Sequence, residues 1–330
     1  MKLYSLALVL VVSCSTFAQN KTDANFKIAL PDHNGQLTWA AEGFKITQSS
    51  AKSDGREIGL RGQDNSAHLS FLGFLFLAPK GEVLTSAKCR DEALAEEKRN
   101  LPNLKILGTA ELDKGNGIPV SLVTFSTPTR DGSTGYHVHG FVATNDICGD
   151  LEIYGPNQIR DTDPAIAKIF TTYHFDPDYK PDFVDVVFYG QVLYDAKNFQ
   201  AAAPVFERSL LMLPADGTPF PSVKVARRVL TDEAGMAYGI SGNLAKARAI
   251  FTTGIAADPD YPLYYYNLAC ADAGDNKLAD ARLHLQQAFA RKANLIPGEA
   301  MPDPTTDDSF VPYKGDREFW EFVERLPSNK

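Results

Sequence analysis

Between about residue 24 and residue 160, short stretches of β-branched and aromatic residues alternate with turn formers. The stretches are "FKIAL" (26–30), "FKITQS" (44–49), "REIGLRG" (56–62), "AHLSFLGFLFLAP" (67–79), "LKILGTAEL" (104–112), "PVSLVTFS" (119–126), "TGYHVHGFVAT" (134–144) and "DICGDLEIYG" (146–155). "PDHNG", "KSDG", "PKG", "DKGNG" and "RDGS" separate them, so the pattern predicts strands joined by tight turns. "LSFLGFLFLAP" is the most apolar of these and is expected at the centre of the sheet.

Two stretches break the two-residue period. "TSAKCRDEALAEEKRN" starts on hydroxyl caps at Thr85 and Ser86, with acids in its early turns. "TDPAIAKIFTTYHF" offers Thr162 and Asp163 as caps and Pro164 at the first helical position, where a missing N–H leaves nothing unsatisfied. Ile166, Ile169, Phe170 and Tyr173 then mark one helical face. The polar, proline-rich "DPDYKPD" (176–182) reads as a linker. Beyond it the apolar period becomes helical and alanine rises.

The helical half repeats itself. Aligning 231–260 with 266–294 places Ala234 on Leu268, Gly235 on Ala269, Ala247 on Ala281 and Phe251 on Leu285, each pair 34 residues apart. Gly235, Tyr238, Ala247, Phe251 and Pro259 carry the pattern in the middle unit. Gly190, Leu193, Ala202, Phe206 and Pro214 carry it in an earlier unit displaced by 45 residues, the surplus being an insertion around "ADGTPFPSVKV". This pattern resembles the tetratricopeptide repeat, with three repeats over 183–293. The aromatic column of the first helix holds Val186 and Thr231, and only Tyr265 fits it. In such arrays each helix pair has an apolar face it cannot bury alone, so neighbours stack into a superhelix.

"LIPGEAMPDPTTDDSF" follows, irregular and rich in proline. Then "DREFWEFVERL" places Phe319, Phe322, Val323 and Leu326 at helical spacing, a terminal helix expected to cap the stack. Asp316, Glu318, Glu321 and Glu324 on its polar face argue against a membrane-surface helix. The expected class is therefore α+β. An N-terminal antiparallel β-sheet with covering helices (24–175) precedes an all-α tetratricopeptide-repeat superhelix and a C-terminal capping helix in 294–330. The N-terminal half, through "DLEIYG…DPAIAKIFTTYHF", also resembles the sandwich of PsbP-like extrinsic photosystem subunits, a resemblance that carries no function with it.

Composition changes the picture little: 330 residues, 44% hydrophobic, 22% charged and net charge −8 describe two ordinary globular domains. The acidic balance argues against nucleic acid, whose phosphates need a positive face. The N-terminus says more. Lys2, the apolar run Leu3–Val12 and the small residues Thr16 and Ala18 form a signal peptide over 1–18, too short to span a bilayer. "VVSC" resembles a lipobox, so two outcomes stay open: cleavage after Ala18, or a lipid anchor on Cys14. Either way the chain is expected to be exported, periplasmic or extracellular, and bacterial in type.

Export permits disulfides. Cys89 and Cys148 share the first half and are expected to pair, closing a loop worth ~4 kcal/mol in the chain-entropy model; the alternative is two buried free thiols.

The search for chemistry yields few candidates. His137 and His139 lie two apart on one strand face and could offer two zinc ligands, with Asp146, Asp150 or His174 as a third. Alternatively they are polar residues facing solvent, with Tyr136 and Val138 inward. Phe71, Phe74 and Phe76 could line a lipid groove. Catalytic, dinucleotide and phosphate-loop motifs are missing. No enzymatic activity, cofactor or metal is therefore expected, and an envelope enzyme or ligand-binding lipoprotein with its site in the N-terminal domain is the alternative.

The repeat resemblance implies a protein or peptide partner held on the concave surface, at Val187, Gln191, Tyr194, Asp232, Met236, Tyr266 and Cys270. Tyr264 is a further ring free to meet a partner. Asp232 stands where a carboxylate-clamping member would carry a cation, so a terminal-carboxylate ligand is not expected.

Overall fold

A computed structural model describes residues 24–115, 117–129 and 131–326. The expected signal peptide, with Cys14 and Ala18, lies outside them. Two compact units divide the chain between Val192 and Leu193.

Among the described residues the first unit holds ten strands: β1 (Asn25–Ala29), β2 (Gln36–Ala40), β3 (Lys45–Ala51), β4 (Glu57–Asp64), β5 (Leu69–Leu77), β6 (Lys105–Leu112), β7 (Val120–Pro128), β8 (Thr134–Thr144), β9 (Ile147–Gly155) and β10 (His174–Asp176). Helices α1 (Ser86–Asn100) and α2 (Pro164–Thr172) interrupt them. Seven strands form one antiparallel sheet in the order β3-β4-β5-β9-β8-β7-β6, and β1, β2 and β10 form a second. The apolar β5 is interior as expected, but the centre belongs to β9, whose covered face carries Asp150 and Glu152.

Each face of the large sheet is covered. On one, Phe71 meets Trp39 edge-on at 5.4 Å and Phe26 at 4.8 Å. Gly73 makes room here, since a Cβ on it would sit 2.6 Å from the Trp39 ring. On the other, α1 packs over β7 and β8 around Cys89, Val123, Phe125, Phe141 and Cys148. Thr85 caps α1, accepting from the Lys88 amide, and Ser86 Oγ accepts from the Ala143 amide of β8. Cys89 and Cys148 are joined as a disulfide, tying α1 to the central strand.

Three expectations change. Phe71 points to the opposite face from Phe74 and Phe76, because strand side chains alternate, so the three do not share a groove. His137 and His139 do not face solvent, because α1 covers their face. The segment 176–182 is no free linker: β10 pairs with β2, Tyr179 O accepts from the Gly35 amide, and Tyr179 OH donates to Asp185 at 2.7 Å.

Helix α3 (Phe183–Asp195) carries the boundary between the units. The second unit continues with α4 (Phe199–Met212), α5 (Val223–Ile240), α6 (Leu244–Ala257), α7 (Pro262–Gly274), α8 (Leu278–Ala290) and the terminal α9 (Arg317–Glu324). Consecutive helices from α4 to α8 pack against one another as helical repeats. The small-residue crossing is real: a Cβ on Gly235 would lie 2.3 Å from Phe251 Cζ. Arg248 of α6 clamps the next repeat through Asp272, the Ala271 carbonyl and Asp275.

Candidate functional site

The inner surface of the second unit is built by α5 and α7, and the chain's own C-terminal segment lies across it. Ile296 packs among Phe251, Tyr261, Tyr264 and Leu268. Arg228 donates to Asn294 O at 2.9 Å, and Tyr261 OH donates to Glu299 Oε1 at 2.7 Å. Further along, Tyr266 OH donates to Asp307 Oδ2 at 2.9 Å, and Phe310 meets the Tyr266 ring edge-on at 5.9 Å. Tyr313 OH then donates to the Ala273 carbonyl at the end of α7. Met301, Phe310, Phe319 and Val323 complete one core with Tyr266, Ala269 and Leu285.

This arrangement corrects the expected partner surface. Val187, Gln191, Tyr194, Asp232 and Tyr266 are buried. Tyr194 packs on Phe199 and Phe206, and Asp232 accepts from Asn267 at 2.6 Å. Tyr264 is also buried, its hydroxyl directed at the Arg227 carbonyl. Helix α7 is thus largely buried, with Leu263, Asn267, Cys270 and Gly274 only partly covered. Met236 and Cys270 keep partial exposure and line a cavity of about 50 Å³ with Gly235, Phe251, Asn267 and Ser309. Burial holds the Cys270 thiol protonated, far above its ordinary pKa.

Burial also shifts two acids. Asp232 is pushed up to about 8 by burial, with the Glu299 charge adding to it. Glu233 is pushed up to about 8 by burial and by the neighbouring Asp232.

A second concavity stays open. The 45-residue spacing of the first repeat inserts extra chain between α4 and α5, and a cleft of about 640 Å³ opens where that insertion enters α5. Leu210, Leu211, Lys224, Arg227, Ile250 and Ala257 line it. Leu211 is 86% exposed. The acids in the cleft are engaged: Glu207 accepts from Lys246 and Tyr238, and Asp258 from Arg228. Arg227 has no ion-pair partner among the described residues.

Among the described residues, the first unit holds one group of side chains able to take a metal. Glu152 Oε1 lies 2.6 Å from His137 Nδ1 and 3.3 Å from His139 Nε2, with Asp150 Oδ1 3.3 Å from His139 Nδ1. Burial works against charge on His139, yet Glu152 and Asp150 lift its pKa well above the usual value. Glu152 is held low despite burial by His139 and His137, whereas burial raises Asp150. Glu152 was absent from the expected third ligands. Its signal was the alternation of "DLEIYG", which puts Asp150 and Glu152 on one face; β8–β9 pairing then sets Glu152 opposite His139. Asp146 and His174 are exposed and stand outside the group.

No family model and no curated protein matches the chain. Among solved structures it is similar to PcrH from Pseudomonas aeruginosa, at 14% identity over 44% of this chain and 92% of that one, TM-score 0.30. The Sgt2 TPR domain from Aspergillus fumigatus matches at 16% identity over 46% and 88%, TM-score 0.32. A crystal structure from Bacteroides thetaiotaomicron VPI-5482 matches at 9% identity over 70% and 78%, TM-score 0.31. At such scores the repeat assignment stands on the chain's own helix pairs and its 34-residue period.

Proposed function

We propose that this chain is an exported interaction module of the bacterial cell envelope whose helical repeats hold a protein partner in the cleft between α4, α5 and α6. One observation carries the reading: the inner surface is filled by the chain's own tail, while the cleft is open, apolar at Leu210, Leu211 and Ile250, and cationic at Arg227, with Lys224 paired to Asp258. A large exposed leucine beside an uncommitted guanidinium suits a partner segment with apolar and acidic side chains. The repeat unit would act by binding, not by chemistry, and the PsbP-like resemblance of the first unit adds no activity to it.

A photo-crosslinking residue at Leu211 of the full chain, expressed in a bacterial envelope, tests this. The expected result is a discrete adduct that disappears in the Arg227→Glu background. An adduct indifferent to Arg227, or none at all, overturns the cleft as the partner site. Export is read separately from the mass of the mature chain: Gln19 at the N-terminus reports cleavage after Ala18, a lipidated Cys14 reports the anchor, and an intact Met1 contradicts export.

A further inference from the structure

The first unit contains a convergence of donors that the interaction role does not use. Strand β8 supplies His137 and His139, β9 supplies Asp150 and Glu152, and these strands pair so that His139 faces Glu152. One ligand atom from each of His137, His139 and Glu152 falls within 4.8 Å of the others.

The two rings are oriented alike relative to Glu152. His137 turns Nδ1 toward the carboxylate, and its other nitrogen, Nε2, is 3.0 Å from Thr127 Oγ1 on β7. If Nε2–H donates to Thr127, Nδ1 keeps its lone pair. His139 turns Nε2 toward Glu152 and Nδ1 toward Asp150. In each ring one nitrogen faces the common centre and the other faces an orienting group. This is the outer-shell arrangement that fixes the tautomer of metal-bound imidazoles.

The metal-free group is also unsatisfied. His139 Nε2 and Asp150 Oδ1 are buried without a hydrogen-bond partner among the described residues, although the His139 side chain is only 9% exposed. Buried polar atoms nearly always find partners; His139 Nε2, which is aimed at the common centre, has only the 3.3 Å approach of Glu152 Oε1 there, a gap that a bound ion would fill. Asp150 and Glu152 bring two carboxylates beside the two imidazoles, oxygen and nitrogen donors that a zinc ion accepts together. Phe125 and Phe141 flank the imidazoles at 4.8 and 5.7 Å and keep the surroundings apolar. Glu97 of α1 faces the group from above, close enough for its charge to interact with all four.

We propose that His137, His139 and Glu152 form a divalent metal site suited to Zn²⁺, with Thr127 and Asp150 as positioning residues. Two imidazoles and one carboxylate are a donor set that zinc sites with an open fourth position employ. Among the described residues, the thiols of this unit are committed to each other as the Cys89–Cys148 disulfide, which selects nitrogen and oxygen ligation over sulfur. The site departs from the sequence expectation of no metal, and it is independent of the proposed partner cleft.

The test uses the untagged full chain, stripped with a chelator and dialysed against Zn²⁺ or, as a spectroscopic probe, Co²⁺. One tightly bound Zn²⁺ per chain is expected, with visible Co²⁺ bands of low coordination number and a rise in unfolding temperature on zinc addition. His137→Gln and Glu152→Gln should each weaken binding by more than the ~10–100-fold loss typical of an outer-shell change, and Thr127→Val by an amount within that range. His137 lies at the rim of the site, so His137→Gln keeps the test decisive if His139 variants do not fold. Absence of stoichiometric zinc, or binding unchanged in folded His137→Gln and Glu152→Gln chains, overturns the proposal and leaves a purely ionic cluster.

Discussion

Tyr266 in the middle of α7 donates its phenol hydrogen to Asp307, 41 residues further along the chain, across 2.9 Å. The bond lies inside the second unit, where both residues are buried. The other oxygen of Asp307 accepts from the Ser309 amide at 2.8 Å. One carboxylate thus anchors the tail to α7 and shapes its own loop.

Tyr266→Phe removes the donor and leaves a buried carboxylate oxygen unpaired. Bonds to charged groups contribute ~1.5–3 kcal/mol, so a loss of about 2 kcal/mol is expected in urea unfolding followed by helical circular dichroism. A double cycle with Asp307→Ala should show coupling, because the two share the interaction. Additive effects would contradict the anchor.

Asp232 and Glu233 set a pH dependence. Their folded pKa values of about 8 stand above the unfolded carboxylate range. Between the two values the folded state binds more protons than the unfolded one, so stability falls as pH rises. Their contribution is fully present below about pH 4 and is lost as the pH rises through about 8. Asp232→Asn, which can still accept from Asn267, should flatten this slope and leave the chain more stable at pH 8 than the parent. An unchanged slope in thermal melts across that range would rule the pair out as its source.

Gly235→Ala tests the helix crossing. Alanine gains ~1 kcal/mol over glycine in a helix. Its Cβ would stand 2.3 Å from Phe251, and overpacking of this kind costs ~1–3 kcal/mol. A lower melting temperature is therefore expected despite the better helix former, with recovery in the Gly235→Ala, Phe251→Leu double variant. Stabilisation by Gly235→Ala alone would show that the helices separate freely there.

The thiols should behave oppositely. Cys89→Ser, or reduction, is expected to lower stability by ~2–4 kcal/mol, read as a shift of the urea midpoint. Cys270, which is partly exposed, should be alkylated more slowly at neutral pH in the folded chain than in urea, because its surroundings disfavour the thiolate. Equal labelling rates in the folded and unfolded chain would contradict this.

The parts legible in the sequence follow local rules. Eight strands were marked by alternation and turn residues, α1 by Thr85, and the repeats by their period, since each of these depends on residues close along the chain. Strand β2, "QLTWA", does alternate, with Leu37 and Trp39 buried between Gln36 and Thr38; its signal was present and went unread because it is only five residues long. β10 escaped because three residues carry no period. At the candidate sites, the two histidines were visible through their spacing, but Glu152 was not, because its place beside His139 depends on β8–β9 register. The partner columns on α3, α5 and α7 were chosen as outward faces of a bare superhelix. Only the fold shows that Ile296, Glu299, Asp307 and Phe310 occupy the inner surface of α5 and α7.

The sequence by itself determined which segments became strand or helix, the 34-residue repeat and the small-to-large fit of Gly235 with Phe251, because backbone sterics and apolar periodicity act locally. Tertiary structure decided what those segments cover. Burial belongs to pairs of surfaces, and a segment as irregular as 294–316 carries no pattern naming its counterpart. The same reason separates Tyr266, which the sequence offered to a partner, from Glu152, which it passed over: each acquired its role from a neighbour distant in the chain or across a strand.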